Sequence, residues 1–338
     1  MRTYGIAIVG TGNVARGHLQ AIRGNSRAEL VALGARTQEG GHAWAVQQGE
    51  TCPIYTDLAA LLADPAVDIV ILCTPNDLHA SQTIQAARAG KHIIIEKPVA
   101  LNLAELRAMQ QAVHDAGVTT IVSFVLHWNP AMLMTKHLIE SGAIGRVFMV
   151  ETCYWHRSPR AEPGHWFTRK DMAGSVFLLG GCHAVDAARW LAGADVVEVT
   201  AYSTRGGRPG FDYDPTAIAL VRFADGAIGR ISATMECVMP YAFNVTVMGD
   251  AGTIRDNRLY SHLLAGQTDF ATIPTVLPDS GDVLHHAFPQ ELAHLIACLD
   301  EGRQPEINLD GVINTHEVCF AIDRSAAEGR PIRLPLDL

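Results

Sequence analysis

The sequence predicts an α/β protein of two domains: a doubly wound parallel sheet over residues 1–122, then an α+β domain with a mostly antiparallel sheet over 123–338. Three observations predict it. A glycine-rich turn joins an apolar run to an amphipathic stretch near residue 10. Strand-like and helix-like segments then alternate as far as about Val122. Beyond that point strand-like segments follow one another without intervening helices. The 338 residues suit two domains, each with its own core.

The run Tyr4–Val9 reads as the first strand. Gly10, Gly12 and Ala15 follow in the spacing G-x-G-x-x-A, with Val14, Leu19 and Ile22 in helical register behind them. Gly10 permits a tight turn, Gly12 lets a pyrophosphate approach the backbone, and Ala15 lets the helix pack close to the strand. Free amides at the helix start, around Asn13 and Val14, then face the anion. In this strand–turn–helix context the motif predicts a dinucleotide-binding Rossmann domain.

The second strand runs from Glu29 to about Ala35. A cofactor without a 2′-phosphate usually meets an Asp or Glu at this strand's end. Here Ala35 is followed by Arg36 and Thr37, which suit a 2′-phosphate, so the reading is NADP. The alternative is that Arg36 stacks on adenine and NAD also binds. Further strands are Val67–Cys73, Lys91–Ile95 and 118–124, with helices at 76–90 and 102–117. Ligands of such sheets collect beyond the carboxyl ends of the strands. Thr74–Pro75–Asn76 and Glu96–Lys97–Pro98 occupy two such ends. Lys97 at a buried strand end reads either as a functional amine or as half of a salt bridge.

In the second domain a helix (129–142) and a strand (146–156) lead into an aromatic, polar loop (157–174). A segment beginning at Leu178 follows, LLGGCHAVDAARWL, which reads as a helix opened by two glycines. Strands are expected at 196–204, 216–223, 227–236, 243–250 and 251–257, the middle pair joined through Asp225–Gly226, a tight-hairpin signal. Two helices, roughly His285–Asp300 and Asp310–Glu328, end the chain. No Pro/Gly linker marks the boundary near Val122.

Composition excludes several classes. A net charge of −9 with no Lys/Arg run speaks against nucleic acid as partner. No apolar stretch is long enough for a membrane span, and no signal peptide is read at the N-terminus. Seven scattered cysteines with no C-x-x-C pair fit reduced thiols in a cytoplasm. Among 15 histidines, His294 stands at E-x-x-H spacing after Glu291, with His285–His286 before it. A di-metal bundle needs a second such motif, so no metal is expected.

These residues resemble the Gfo/Idh/MocA oxidoreductases (glucose–fructose oxidoreductase, inositol dehydrogenase and rhizopine-catabolism types). The resemblance covers nearly the whole chain and rests on GTGNVA, CTPNDLH, GKHIIIEKPVA and GGCHAVDAARWLAG. Its specific part is the E-K-P strand end together with the G-x-H-x-x-D segment. It implies a Rossmann domain and a second domain on a large, open, mostly antiparallel sheet. It implies NAD or NADP, held by the glycine turn and by the segments that contain Thr74, Pro75, Asn76, His79, Glu96 and Lys97. It implies a carbohydrate, cyclitol or related polyol as substrate, and a homodimer or homotetramer joined through the exposed sheet face.

The same resemblance implies that His183 is the acid/base for the substrate hydroxyl. Lys97 would hydrogen-bond the reacting oxygen. Asp186, one turn after His183, would hold a substrate hydroxyl or orient the ring. Without the resemblance, His183 reads as a helix-start residue bonding the backbone and Asp186 as the partner of Arg189. One departure stands out: many relatives carry an Asp four residues before this histidine, and this chain has Leu179. Substitutes could come from Tyr154, His156, His165 or Lys170. His127 and Trp128 fall where relatives often have Arg-Phe, and Trp128, Tyr154, Trp155 and Trp166 read as walls for a sugar or, singly, as core. The leading expectation is hydride transfer between nicotinamide and a secondary alcohol carbon. The alternatives are a redox-neutral, cofactor-retaining glycosidase and a nucleotide-binding regulator without catalysis.

Overall fold

The computed structural model describes residues 2–158, 162–278 and 286–337. The chain divides into two compact units, one of Met1–Val125 with Gly281–Val312, the other of Leu126–Ser280 with Ile313–Leu338. The first unit is thus discontinuous. The sequence predicts one second domain for everything after residue 122, whereas the helix α9 (Phe288–Glu301) returns to the first unit. The reason is a local one. Phe288 of α9 packs its ring 4.2 Å from that of His18, and Asp300 at its other end pairs with Arg27 and accepts from the Tyr4 hydroxyl.

The sheet of the first unit is wholly parallel. Its strands are β1 (Tyr4–Val9), β2 (Ala28–Gly34), β3 (Ile54–Tyr55), β4 (Ile69–Leu72), β5 (His92–Ile95) and β6 (Thr120–Val122), in the order β3-β2-β1-β4-β5-β6. Helices α1 (Asn13–Arg23), α2 (Gln38–Gln48), α3 (Leu58–Ala63), α4 (Asn76–Arg88) and α5 (Leu103–Ala116) connect them. β1, β4 and β5 are almost entirely buried because helices cover both faces, which is why they read as unbroken apolar runs. The order reverses between β1 and β4, the place where such a sheet opens a crevice for a ligand.

Among the described residues the second unit is built on nine strands. These are β7 (Val147–Trp155), β8 (Val196–Thr204), β9 (Thr216–Phe223), β10 (Ile228–Thr234), β11 (Val245–Gly249), β12 (Gly252–Arg255), β13 (Arg258–Ser261), β14 (Ala271–Thr272) and β15 (Ile332–Arg333). Their order is β14-β13-β12-β11-β7-β10-β9-β8-β15, antiparallel throughout except for β7 beside β10. Helices α6 (Pro130–Glu140), α7 (Lys170–Ala173), α8 (Cys182–Ala192) and α10 (Ile313–Glu328) complete the unit. Along β9 and β10 burial alternates strictly, so one face is packed and the other open. The expected hairpin joins β9 to β10. Phe223 pairs with Ala227, and of the three residues between them only Gly226 has positive φ, at +92°, so the link is a three-residue loop rather than a two-residue one. Among the described residues no helix is long and apolar enough to cross a membrane.

Candidate active site

In the first unit the glycine turn is shaped for an anion. Gly10 has φ +107°, and a Cβ there would lie 2.6 Å from the Cys73 carbonyl oxygen, so a side chain is excluded on two counts. Gly12 sits at the N-cap of α1 and supplies no side-chain cap, and the first turn contains no acid. The first-turn amides around Asn13 and Val14 are left for an external acceptor, and the helix dipole favours a negative one. These residues fit a dinucleotide's pyrophosphate. Arg36 and Thr37 are exposed just past β2, and the Thr37 hydroxyl caps α2 by accepting from the Gly40 amide at 3.1 Å.

Two other strand ends frame this turn. After β4, the Thr74 hydroxyl donates to Gln82 at 2.6 Å, and Pro75 precedes a buried Asn76. His79 is buried with Nδ1 2.7 Å from the Pro98 carbonyl and Nε2 2.8 Å from that of Thr74. It is a strap between the ends of β4 and β5. Burial pushes its pKa down against the pull of both carbonyls. After β5, Glu96 is buried, with Oε1 3.1 Å from His18 Nε2 and Oε2 accepting from the Lys97 amide at 3.3 Å. Its carboxyl is engaged inside the unit. Burial alone would raise it, but the bond to His18 and the nearby His18, Lys97 and His79 hold it below its ordinary value. Lys97 is part-exposed.

In the second unit the glycine-led segment is not a simple helix start. Phe177–Gly181 form a π-helical turn that runs straight into α8, so His183 has helix before it and is not a terminal capping residue. Leu179 is buried within that turn and faces core. The ring of Tyr154, on β7, lies 6.1 Å from that of His183 and nearly parallel to it, at 19°. The Tyr154 hydroxyl is 3.3 Å from His156 Nδ1, and Tyr241 meets both rings edge-on at 5.6 and 5.5 Å. Burial pushes the Tyr154 phenol well up, so it stays a neutral hydroxyl in any ordinary buffer. Gly180 makes room for this ring: a Cβ there would lie 2.4 Å from Tyr154 Cε1.

Asp186 belongs to a neighbouring cluster. Its Oδ2 is 2.8 Å from His127 Nε2, and its Oδ1 accepts from the Thr315 hydroxyl at 3.3 Å. His127 stacks on Trp190 at 4.2 Å, with Trp128 at 6.4 Å. Arg189 bonds Thr315 and Asp195, while Asp186 pairs with His127. Trp166 and Lys170 lie in a third group. Trp166 packs on His165 and Phe167, and the Lys170 amide donates to Asp212 at 2.6 Å. Trp155 is on the other face of β7 from Tyr154, with its indole N–H on Ser232, because neighbouring strand residues point to opposite faces.

Known proteins match this arrangement. The family model for the oxidoreductase family with an NAD-binding Rossmann fold, Gfo/Idh/MocA, matches residues 4–124, and the Gfo/Idh/MocA C-terminal domain matches 132–255. The chain belongs to the Gfo/Idh/MocA oxidoreductase family. The chain is 30% identical to the Bacillus subtilis oxidoreductase YrbE, over 97% of this chain and 95% of that one. It is 29% identical to scyllo-inositol 2-dehydrogenase (NAD(+)) of Bacillus subtilis, over 81% and 80%. A solved levoglucosan dehydrogenase, in complex with NADH and levoglucosan, superposes with a TM-score of 0.89 at 25% identity, over 99% of this chain and all of that one. As a Gfo/Idh/MocA protein the chain carries an NAD-binding Rossmann domain and a second domain on a mixed sheet. Tyr241 and Trp190 were not singled out from the sequence. Trp190 lies within GGCHAVDAARWLAG but carries no chemistry in that motif, and Tyr241 lies before β11, next to the bridge that pairs Ala242 with Trp155.

Proposed function

We propose that this Gfo/Idh/MocA chain is a nicotinamide-dependent dehydrogenase of a sugar, cyclitol or related polyol. The observation that carries the reading is His183, on α8 against the Tyr154 ring, in a chain whose other unit holds a glycine turn fitted to a pyrophosphate. A bound nicotinamide supplies a hydride acceptor or donor at its C4. His183 takes the hydroxyl proton as the carbon is oxidised and returns it in reduction. Lys97 donates a hydrogen bond to the reacting oxygen while negative charge develops on it. Tyr154, His156 and Tyr241 offer ring faces and hydrogen-bonding edges for a polyol, as do His127 and Trp128 beside Asp186. Trp166 and Lys170 are proposed to lie at the rim. Asp186 acts by holding His127. The relatives named for inositol and levoglucosan support this substrate class. The test is a panel of cyclitols, aldoses and anhydrosugars with either nucleotide, read at the absorbance of the reduced cofactor. Nucleotide binding without turnover on any of them would defeat the reading. Product without net absorbance change would favour the redox-neutral alternative.

For the cofactor we propose NADP ahead of NAD. β2 ends without a carboxylate, and Arg36 and the Thr37 hydroxyl, whose proton is free to donate, are both exposed there. Arg36→Ala is expected to raise KM for NADP about tenfold and to leave that for NAD within about twofold. A wild type that prefers NAD, or a loss that is equal for both, removes this preference.

We also propose that the open sheet face joins copies of the chain into a homodimer or homotetramer. On that face Tyr202, Ile218, Leu220 and Ile228 are exposed, Leu220 by 60% and Tyr202 by 73%. An apolar surface of this kind on a regular sheet suits burial against its own copy. Leu220→Glu should lower the molar mass seen by light scattering to that of a smaller species. An unchanged mass counts against the interface.

A further inference from the structure

Behind the Glu96–Lys97 strand end the first unit encloses an acid that the proposed chemistry does not use. Glu291, in the first turn of α9, is completely buried. Among the described residues neither carboxyl oxygen has a well-formed hydrogen-bond partner, nor does the buried hydroxyl of Ser123 just past β6, although that hydroxyl lies close enough to ease the carboxyl. The groups around it come from several elements: Glu96 at the end of β5, Cys73 at the end of β4 and Ser123. Glu96 in turn is faced by His18 of α1, His79 of α4 and Lys97. His294, three residues along α9, is 3.5 Å from Cys298.

Two carboxyl groups enclosed together cannot both carry charge. Glu96 has the means to stay ionised, with an imidazole at 3.1 Å, the Lys97 amide at 3.3 Å and the Lys97 ammonium nearby. Among the described residues Glu291 has only Ser123 to ease it, so the proton rests there. A carboxylic acid has one O–H to donate, and a small rotation toward Ser123 satisfies both groups.

We propose that Glu291 is a positioning residue for Lys97: as a neutral acid it fills the space behind Glu96 and keeps the cluster's one negative charge on Glu96, between His18 and the Lys97 turn. The proposal deepens the dehydrogenase reading and rests on it for the role of Lys97.

A pH signature follows. Burial, and then the charge of Glu96, raise the Glu291 carboxyl well above its ordinary value. The folded chain therefore binds this proton more tightly than the unfolded chain, and stability falls as pH rises from the unfolded value towards the folded one. Glutamine cannot ionise and escapes that loss. Glu291→Gln should melt with wild type near the ordinary value of 4.5, and about 5 °C above it at a pH of roughly 8.

The test uses the full chain. Infrared difference spectra of wild type against Glu291→Gln at neutral pH should show the carbonyl stretch of a protonated acid in wild type alone. Glu291→Gln should keep kcat within about twofold, while Glu291→Leu, which cannot bond Ser123, should lower kcat about tenfold with nucleotide KM unmoved. An ionised Glu291, a Gln variant less stable than wild type at high pH, or a fully active Leu variant overturns the proposal. Should the Leu variant not fold, a tenfold loss in the Gln variant overturns it and retained activity supports it. If no polyol is turned over, the spectrum and the melting profile still decide the state of Glu291, so the two failures are told apart.

Discussion

Replacing His183 by alanine is expected to lower kcat by roughly 10²–10⁴-fold, the usual worth of a positioned acid or base. Nucleotide affinity, measured by fluorescence titration, should be unchanged, because His183 belongs to α8 and the glycine turn belongs to the other unit. The chain should also stay folded, since the ring is only part-buried and α8 continues from the π turn without it. Lys97→Ala should cost about 10²–10³-fold in kcat, as expected for loss of one donor to a developing oxyanion. The two losses should not add, because both groups serve one transition state. A primary deuterium isotope effect on hydride transfer that grows in either variant would place the damage in the chemical step. Turnover within twofold of wild type in both variants would remove the mechanism outright.

How much of this could be read before the structure depends on whether the signal was local. The turn between β1 and α1 was legible because Gly10, Gly12 and Ala15 each meet a constraint set within a few residues or by the next strand. The helix α2 was not, because QEGGHAWAVQQ holds two glycines and buries only Gly41, Trp44 and Ala45. α9 was legible as a helix but not as a member of the first unit. Periodicity shows that a face is apolar, and says nothing of which sheet it will meet. Glu96 and His79 were expected at the nucleotide, and both side chains are engaged within the unit, by His18 and by two backbone carbonyls. His18 lies 78 residues from Glu96, and no spacing rule connects them. Glu291 drew notice only for its E-x-x-H spacing to His294. Its burial beside Glu96 is a fact of packing. The departure at Leu179 was visible, and so were Tyr154 and His156 as candidates to replace it, but that the Tyr154 ring lies against His183 and that Tyr241 joins Tyr154 and His156 became visible only through pairing across β7.

Gly180→Ala tests that last arrangement with the smallest possible change. The added carbon would lie 2.4 Å from Tyr154 Cε1 and 2.8 Å from both Tyr154 Cζ and Met235 Cε. Met235 can turn its flexible end away. The Tyr154 ring has less freedom, with the His183 ring on one side, Tyr241 edge-on and His156 at its hydroxyl. Relief therefore requires the phenol to shift by about 1 Å. A displacement of that size in a catalytic arrangement costs on the order of 10²-fold in kcat, whereas overpacking costs the fold only about 1–3 kcal/mol. The variant should melt a few degrees below wild type and bind nucleotide normally. Tyr154→Phe separates the two ways in which the residue could serve. It keeps the ring beside His183 and removes the hydroxyl, leaving His156 Nδ1 without it. If the hydroxyl stands in for the missing carboxylate at Leu179, the Phe variant loses activity on a scale like that of Gly180→Ala, and the acidic limb of the kcat profile moves. If the ring alone matters, as a wall and as a support for the imidazole, Tyr154→Phe is nearly silent while Gly180→Ala is not. Full activity in Gly180→Ala would show that the Tyr154 ring has no part in the reaction, and that His183 works without this neighbour.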